Sequence, residues 1–207
     1  MSLPTPALRA GMLRFARLVL LAAAAALTGC ASVYVDSNTK EIAAASYKKP
    51  AQAKPVQLVF EFQTKGAPNT RATDLLKAQV LDQVKASGLF SSVEQAPVAG
   101  GALMSITLNN VPLTDDAFTK GFVTGLTFGL AGSQVSDGYV CTVKYLSNDK
   151  PQAITKVARH AIHTVIGAGA APANGVKADN PEAAARTMTR QVVSTVLNDL
   201  SQDASFQ

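Results

Sequence analysis

The sequence predicts an α+β domain, a two-layer sandwich in which two helices cover one face of a mixed four-stranded sheet. Two segments repeat apolar residues at every fourth position, and four others have strand-like apolar patterns. Their order along the chain is β-α-β-β-β-α, with a glycine-rich insertion between the second and third strands. Such helices and strands hide their apolar faces when both helices pack on one side of a single sheet.

A strand and a helix open the predicted domain. The strand is VQLVFEF, which begins at Val56 and contains closely spaced apolar residues. Thr70 or Thr73 is expected to cap the helix that follows, and Gly88 marks its end. The apolar stripe of this helix comprises Leu76, Val80 and Val84.

Three further strands and a second helix complete the domain. ALMSITLNNV predicts a strand, and the runs DGYVCTVKYL and QAITKVARHAIHTVIG predict a hairpin because turn residues 147–151 join them. After a loop rich in Gly, Ala and Pro, Asn180 and Pro181 are typical of a helix start, and the helix is expected to end near Ser201. Its apolar stripe comprises Met188, Val192, Val196 and Leu200.

Residues 1–29 are predicted to be a secretory signal peptide rather than part of the fold. The segment contains three arginines and no acidic residue, followed by an apolar run from Leu18 to Leu27. About ten apolar residues are too few to span the roughly 30 Å hydrocarbon core of a bilayer. Both Met1 and Met12 are candidate translation starts.

The motif at the end of this segment is Leu27-Thr28-Gly29-Cys30, which resembles the lipobox of bacterial lipoproteins. In that family the Cys sulfur receives a diacylglycerol, cleavage occurs before the Cys, and its new amino group is acylated, for example with palmitate. The resemblance implies lipidation at Cys30. Because Ala31 rather than Asp follows, the sorting habit of Gram-negative lipoproteins implies the periplasmic face of the outer membrane rather than the inner membrane.

The composition after cleavage bounds the function. The first 29 residues hold three of the 19 basic residues and none of the 14 acidic ones, so the remaining 178 residues carry a net charge of +2. This weak charge argues against a nucleic-acid partner. Residues 30–55 are interpreted as a lipidated N-terminus and tether, although Val33-Tyr34-Val35 has the composition of a short strand. Residues 56–207 are the predicted periplasmic domain.

The segment 118–135 contains the uncharged run GFVTGLTFGLAG. It fits a loop or short helix packed on its own domain, a surface for a partner or a second copy of the chain, or shallow insertion into lipid. It is too short to span a bilayer. The candidate residues for contact with a partner or lipid are Phe118, Gly121, Phe122, Gly125, Leu126, Phe128 and Gly129.

No catalytic constellation, metal site or cofactor motif is predicted. His160 and His163 lie three apart, so on a strand they point to opposite faces and cannot share a metal. Asp115-Asp116 is interpreted as a solvated turn. Once Cys30 is lipidated, Cys141 has no intramolecular partner, and its place in an alternating strand predicts a buried small apolar residue.

The element order is similar to that of the lipopolysaccharide-assembly lipoprotein and of auxiliary lipoproteins of envelope ABC transporters, which also carry a lipidated Cys and a small sheet with two helices. The sequence therefore predicts a membrane-anchored, non-enzymatic periplasmic lipoprotein that binds an envelope protein or another envelope component, with a homo-oligomer left open. The alternative is a carrier or sensor of a lipid or other amphiphile, bound between the helices and the sheet.

Overall fold

The fold is seen in a computed structural model that describes residues 31–112, 134–149, 151–167 and 169–206. These residues form one mixed sheet and two α-helices, which confirms the predicted α+β class. The described sheet has eight strands rather than the predicted four. The four predicted strands are its long members, and four short strands extend it.

The elements are numbered in chain order. The helices are α1 (Thr70–Ala86) and α2 (Pro181–Ser201), and a short 3-10 turn covers Ala44–Ser46. The strands are β1 (Ser32–Asp36), β2 (Val56–Thr64), β3 (Ala67–Pro68), β4 (Val93–Glu94), β5 (Ala102–Pro112), β6 (Gln134–Leu146), β7 (Ile154–Val165) and β8 (Gly175–Ala178).

The strands follow the order β3-β2-β5-β6-β7-β1-β8, with β4 beside the start of β2. β2 runs parallel to both β4 and β5, because α1 provides the crossover between them, and the remaining pairs are antiparallel. The predicted hairpin is the β6–β7 pair, which is aligned from Gln134 opposite Val165 to Tyr145 opposite Ile154.

The predicted tether is wrong for its described part, residues 31–55. β1 pairs with β7 on one side and β8 on the other, and Val35 is buried. Farther along, the Ile42 amide donates to Ser194 Oγ at 2.9 Å and the Tyr47 hydroxyl donates to the Ser194 carbonyl at 3.2 Å. Residues 32–36 therefore belong to the sheet and residues 42–48 to the surface of α2, so the domain begins before Val56.

The core lies between the two helices and one face of the sheet. Alternate residues of the long strands point into it, as period-two patterning requires. Both predicted helical stripes are buried, and α1 also packs against α2. The fully buried larger side chains of this core include Leu76, Val80, Met104, Ile106, Leu108, Met188, Leu197 and Leu200.

The start of α1 differs from the predicted one. Asn69, not Thr70 or Thr73, caps the helix, because its side-chain oxygen accepts the Ala72 amide at 3.0 Å. Thr73 instead links the helix to the sheet, since its Oγ1 accepts the Phe62 amide at 2.9 Å. For α2 the expected cap is confirmed, because Asn180 accepts the Ala183 amide at 2.9 Å.

Within the described ranges, no helix has the length and apolar character needed to cross a membrane.

Candidate functional site

The predicted lipidation site, Cys30, lies outside the described residues. So do the seven candidate contact residues from Phe118 to Gly129 and the Asp115-Asp116 pair. Their described neighbours, however, fix the points at which these segments join the sheet. Ala31 follows Cys30, Pro112 precedes the glycine-rich segment, and Gln134 lies near the end of that segment.

These joining points lie at one end of the sheet, which we call the Ser32 end. Ser32 is opposite Val165, and Val165 is opposite Gln134 on the other side of β7. Pro112 is opposite Asp137, three residues into β6. The strands that continue toward Cys30 and toward the glycine-rich segment therefore leave the sheet at the same end.

A buried polar cluster fixes β1 in the sheet. Asp36 is fully buried and His163 is 1% exposed. Asp36 Oδ2 lies 3.3 Å from His163 Nε2, and Ser136 Oγ lies 2.7 Å from His163 Nδ1. The Asn38 amide donates to Asp36 Oδ1 at 2.7 Å. The cluster thus cross-links β1, β7 and β6, and we call it the β1 clamp.

The β1 clamp contains the residue types of a hydrolytic triad. In such a triad the serine oxygen must reach a substrate and the imidazole must exchange protons with it. Here Ser136 is 8% exposed, and His163, on β7 between β1 and β6, is 1% exposed. This geometry suits cross-linking of strands better than attack on a substrate.

His160 lies on the other face of β7, so the prediction that the two histidines point to opposite faces is confirmed. Its Nδ1 accepts the Ala161 amide at 2.8 Å, and its Nε2 donates to Gln191 Oε1 at 2.7 Å. Burial lowers the pKa of His160 below its ordinary value, and the Gln191 hydrogen bond opposes that shift. Among the described residues, no group of three or more His, Cys, Asp or Glu side chains is placed to hold a metal.

Cys141 is buried on the helix-facing side of β6, as its alternating position predicted. Burial raises the pKa of its thiol to about 12. Because the thiolate is the reactive form, this side chain behaves as a small apolar core residue.

A cavity of about 330 Å³ opens at the opposite end of the sheet, and we call it the distal groove. Its floor contains Phe90, Tyr145 and Phe206, whose ring centroids are 5.1 to 6.0 Å apart. At its rim Lys54 pairs with Asp149 at 2.5 Å, and this pair lowers the pKa of Asp149. The distal groove therefore offers an aromatic floor beside a charged and polar rim.

The Ser32 end and the distal groove are far apart along the strands. Val165 lies at the Ser32 end of β7, whereas Ile154 lies opposite Tyr145 of the distal groove. Eleven residue steps separate them, which at about 3.2 Å per residue, the rise of a twisted strand, corresponds to roughly 35 Å.

Sequence reasoning missed both the β1 clamp and the distal groove. Asp36, Ser136 and His163 come from distant parts of the chain and meet only because β1 pairs with β7. Phe206 reaches the groove from beyond the end of α2. Neither arrangement has a local sequence pattern, and the strand composition of Val33-Tyr34-Val35 was the only indication that β1 would join the sheet.

Comparisons with known proteins identify no family. No protein-family model matches the chain, and no curated protein matches it. Among solved structures, it is similar to the PelC dodecamer from Paraburkholderia phytofirmans, with a TM-score of 0.36 and 11% identity over 84% of this chain and 100% of that one.

Two further solved structures are similar at the same low level. One is described provisionally as a lipoprotein of Caulobacter crescentus, with a TM-score of 0.32 and 11% identity over 70% of this chain and 84% of that one. The other is a minor lipoprotein from Acinetobacter baumannii, with a TM-score of 0.29 and 14% identity over 74% of this chain and 88% of that one. TM-scores below 0.5 do not establish a shared fold, so nothing about function follows from these three likenesses.

Proposed function

We propose that this protein is a lipid-anchored, non-catalytic envelope lipoprotein held through Cys30 on the periplasmic face of the outer membrane. Its domain binds a protein or another envelope component through the distal groove. The observation that carries the proposal is the placement of the chain's entry from Cys30 and the distal groove at opposite ends of the sheet, roughly 35 Å apart by strand length. An anchor at one end leaves a groove at the other end accessible.

The lipobox resemblance of residues 27–30 supports the anchor. One acyl chain binds a membrane weakly and reversibly, whereas two or more give stable anchoring. The anchor confines the domain to a thin layer and thereby raises its effective concentration near membrane partners. Catalysis is not needed for such a role.

The interior favours a binding module over an amphiphile carrier. Between the helices and the described part of the sheet, the side chains of Met104, Ile106, Met188 and Leu197 are completely buried. The distal groove lies at the rim of this core, beside the C-terminal ends of both helices. A ligand there would contact the surface of the domain rather than occupy the space between helices and sheet.

The seven candidate contact residues of the glycine-rich segment are part of the same proposal. Pro112, which precedes that segment, and Gln134, near its end, both lie at the Ser32 end, next to the proposed lipid. We therefore assign Phe118, Gly121, Phe122, Gly125, Leu126, Phe128 and Gly129 to contact with lipid rather than with a soluble partner. Gly125→Leu is expected to change membrane retention while leaving the described domain folded.

The anchor is tested by metabolic labelling with a fatty-acid analogue and by separation of the inner and outer membranes. The wild-type chain is expected to incorporate the label and to fractionate with the outer membrane. Cys30→Ser is expected to lose both the label and the membrane association. Equal labelling of the two proteins would contradict the assignment of Cys30.

The distal groove is tested by photo-crosslinking in cells. A photoreactive residue at Phe90 is expected to trap a partner, whereas the same residue at Val59, which is 44% exposed on the helix-free face of β2, serves as the control. A Phe90→Ala substitution should reduce co-purification of the trapped partner. Capture from Val59 alone would contradict the assignment of the groove.

A further inference from the structure

Two exposed apolar side chains lie at the Ser32 end of the sheet. Val135 and Ile166 are each 52% exposed. Val135 is opposite Thr164, which precedes Ile166 by two residues. Ile166 continues the chain one residue beyond the end of β7, and diagonal neighbours in an antiparallel pair lie about 7–8 Å apart. The two side chains therefore form one apolar patch.

This patch lies beside the point where the chain arrives from Cys30. Gln134, next to Val135, pairs with Val165, and Val165 pairs with Ser32. Only Ala31 separates Cys30 from Ser32, so an extended chain of two residue steps places the Cys30 backbone within about 7 Å of the first residue of β1. The patch and the start of β1 lie on adjacent strands at one end of the sheet.

We propose that the Ser32 end is a membrane-contacting surface in which Val135 and Ile166 enter the headgroup–acyl boundary of the bilayer. This inference depends on the proposed lipidation of Cys30, and it adds that the domain rests on the membrane in a fixed orientation. The short link leaves no room for the domain to move away from the bilayer while the acyl chains remain inserted.

The β1 clamp makes this orientation stable. An anchor on Cys30 would pull first on β1, which pairs with strands on both sides and whose last residue, Asp36, is fully buried. The pull is therefore passed to β7 and β6, where His163 and Ser136 lie. Burial of apolar side chains at the headgroup–acyl boundary favours membrane binding, as it does for interfacial helices.

The occupant of this surface is lipid rather than protein because of where the chain enters. The acyl chains on Cys30 would hold the bilayer, and not a soluble partner, within a few residues of Val135 and Ile166. Comparably exposed apolar residues, Leu146 and Val157, lie in the distal half of the β6–β7 pair. They face water in this orientation and provide matched controls.

The test places single cysteines at four positions of the full, lipidated protein: Val135→Cys, Ile166→Cys, Leu146→Cys and Val157→Cys. Each is labelled with an environment-sensitive fluorophore and reconstituted in phosphatidylethanolamine–phosphatidylglycerol vesicles. Cys141 does not interfere, because it is fully buried and burial raises its thiol pKa to about 12. All four positions are exposed, so the fold is expected to tolerate the changes, and circular dichroism checks this.

Brominated lipid is expected to quench the fluorophores at positions 135 and 166 several-fold more strongly than those at 146 and 157, and aqueous iodide should show the opposite order. Equal quenching at all four positions would overturn the proposed orientation. Shielding of positions 135 and 166 from both quenchers would overturn it as well, because it would indicate a second copy of the chain. Failure of Cys30 to incorporate fatty acid is a separate result and would instead contradict the proposed function.

Discussion

Asp36 is the residue that ties the N-terminal strand most closely to the rest of the sheet. It is completely buried, its Oδ1 accepts the Asn38 amide, and its Oδ2 faces His163 Nε2 at 3.3 Å. A buried carboxylate needs such partners because leaving water is costly. The β1 clamp therefore depends on both carboxylate oxygens of Asp36.

Asp36→Ala is expected to lower the free energy of unfolding by about 2 kcal/mol or more, because it removes the acceptor of the Asn38 amide and leaves the buried His163 without one of its partners. Asp36→Asn keeps the shape and an acceptor, so it should cost less. Urea denaturation measures both. Glu41→Ala, which removes an exposed ion pair with Arg190, is the control and should change the free energy of unfolding by less than about 0.5 kcal/mol. Equal effects of Asp36→Ala and Glu41→Ala would contradict a role for the clamp.

The stability of the domain should also depend on pH through His160. Burial lowers the pKa of His160 in the folded state below its ordinary value of 6.5. Between the folded-state pKa and the unfolded-state pKa, the unfolded chain therefore binds more protons than the folded one. The contribution of His160 to the free energy of unfolding is complete above pH 6.5 and is lost as the pH falls through the folded-state pKa.

His160→Gln is expected to flatten the loss of stability between about pH 7 and pH 5, since it removes this titration. Urea denaturation midpoints at several pH values measure how steeply stability changes with pH. Asp203, whose pKa is lowered mainly by its hydrogen bond with Lys156, contributes only at more acidic pH and leaves a loss of stability below its ordinary value of 3.8 in both proteins. An unchanged slope between pH 7 and pH 5 in His160→Gln would show that His160 is not responsible.

At the scale of elements, periodicity predicted the long members of the fold. β2, β5, β6, β7 and both helices have alternating or four-residue apolar patterns that their burial in the core explains. The short strands have no such pattern. β3 and β4 each have two residues, and β8 has four, so only their neighbours in the sheet define them.

β1 shows why the start of the domain could not be predicted. Its five residues begin one residue after the lipobox, and the Ala-, Ser- and Lys-rich stretch that follows β1 has the composition of a linker. Its place in the sheet is decided by β7 and β8, which come more than a hundred residues later. Only non-local pairing distinguishes this segment from a tether.

A fragment that begins at Val56 should accordingly be much less stable than one that begins at Ala31. Removing residues 31–55 deletes the buried Val33, Val35 and Tyr47, each worth about 1.5 kcal/mol or more, for a total of about 4.5 kcal/mol or more. Urea denaturation of the fragments 31–206 and 56–206 measures the difference. Val35→Asp in the longer fragment should lower stability in the same direction. Equal midpoints for the two fragments would restore the interpretation of residues 31–55 as a tether.

At the scale of the whole molecule, the two ends of the sheet have different characters. The Ser32 end receives the chain from Cys30 and carries the Val135 and Ile166 patch, whereas the other end carries the aromatic distal groove. The β1 clamp connects β1, which follows Cys30, to β7 and to β6 in the middle of the strand order. We infer a domain that lies directly on the bilayer and presents its groove to the periplasm.

The most direct test of the central claim is the intact mass of the mature protein extracted from the membrane fraction. We predict a chain that begins at Cys30, lacks residues 1–29, and carries the added mass of a diacylglycerol and a fatty acid. A membrane-extracted chain that still begins at Met1 or Met12, or one that begins elsewhere without added lipid, would contradict the lipid anchor and the orientation that depends on it.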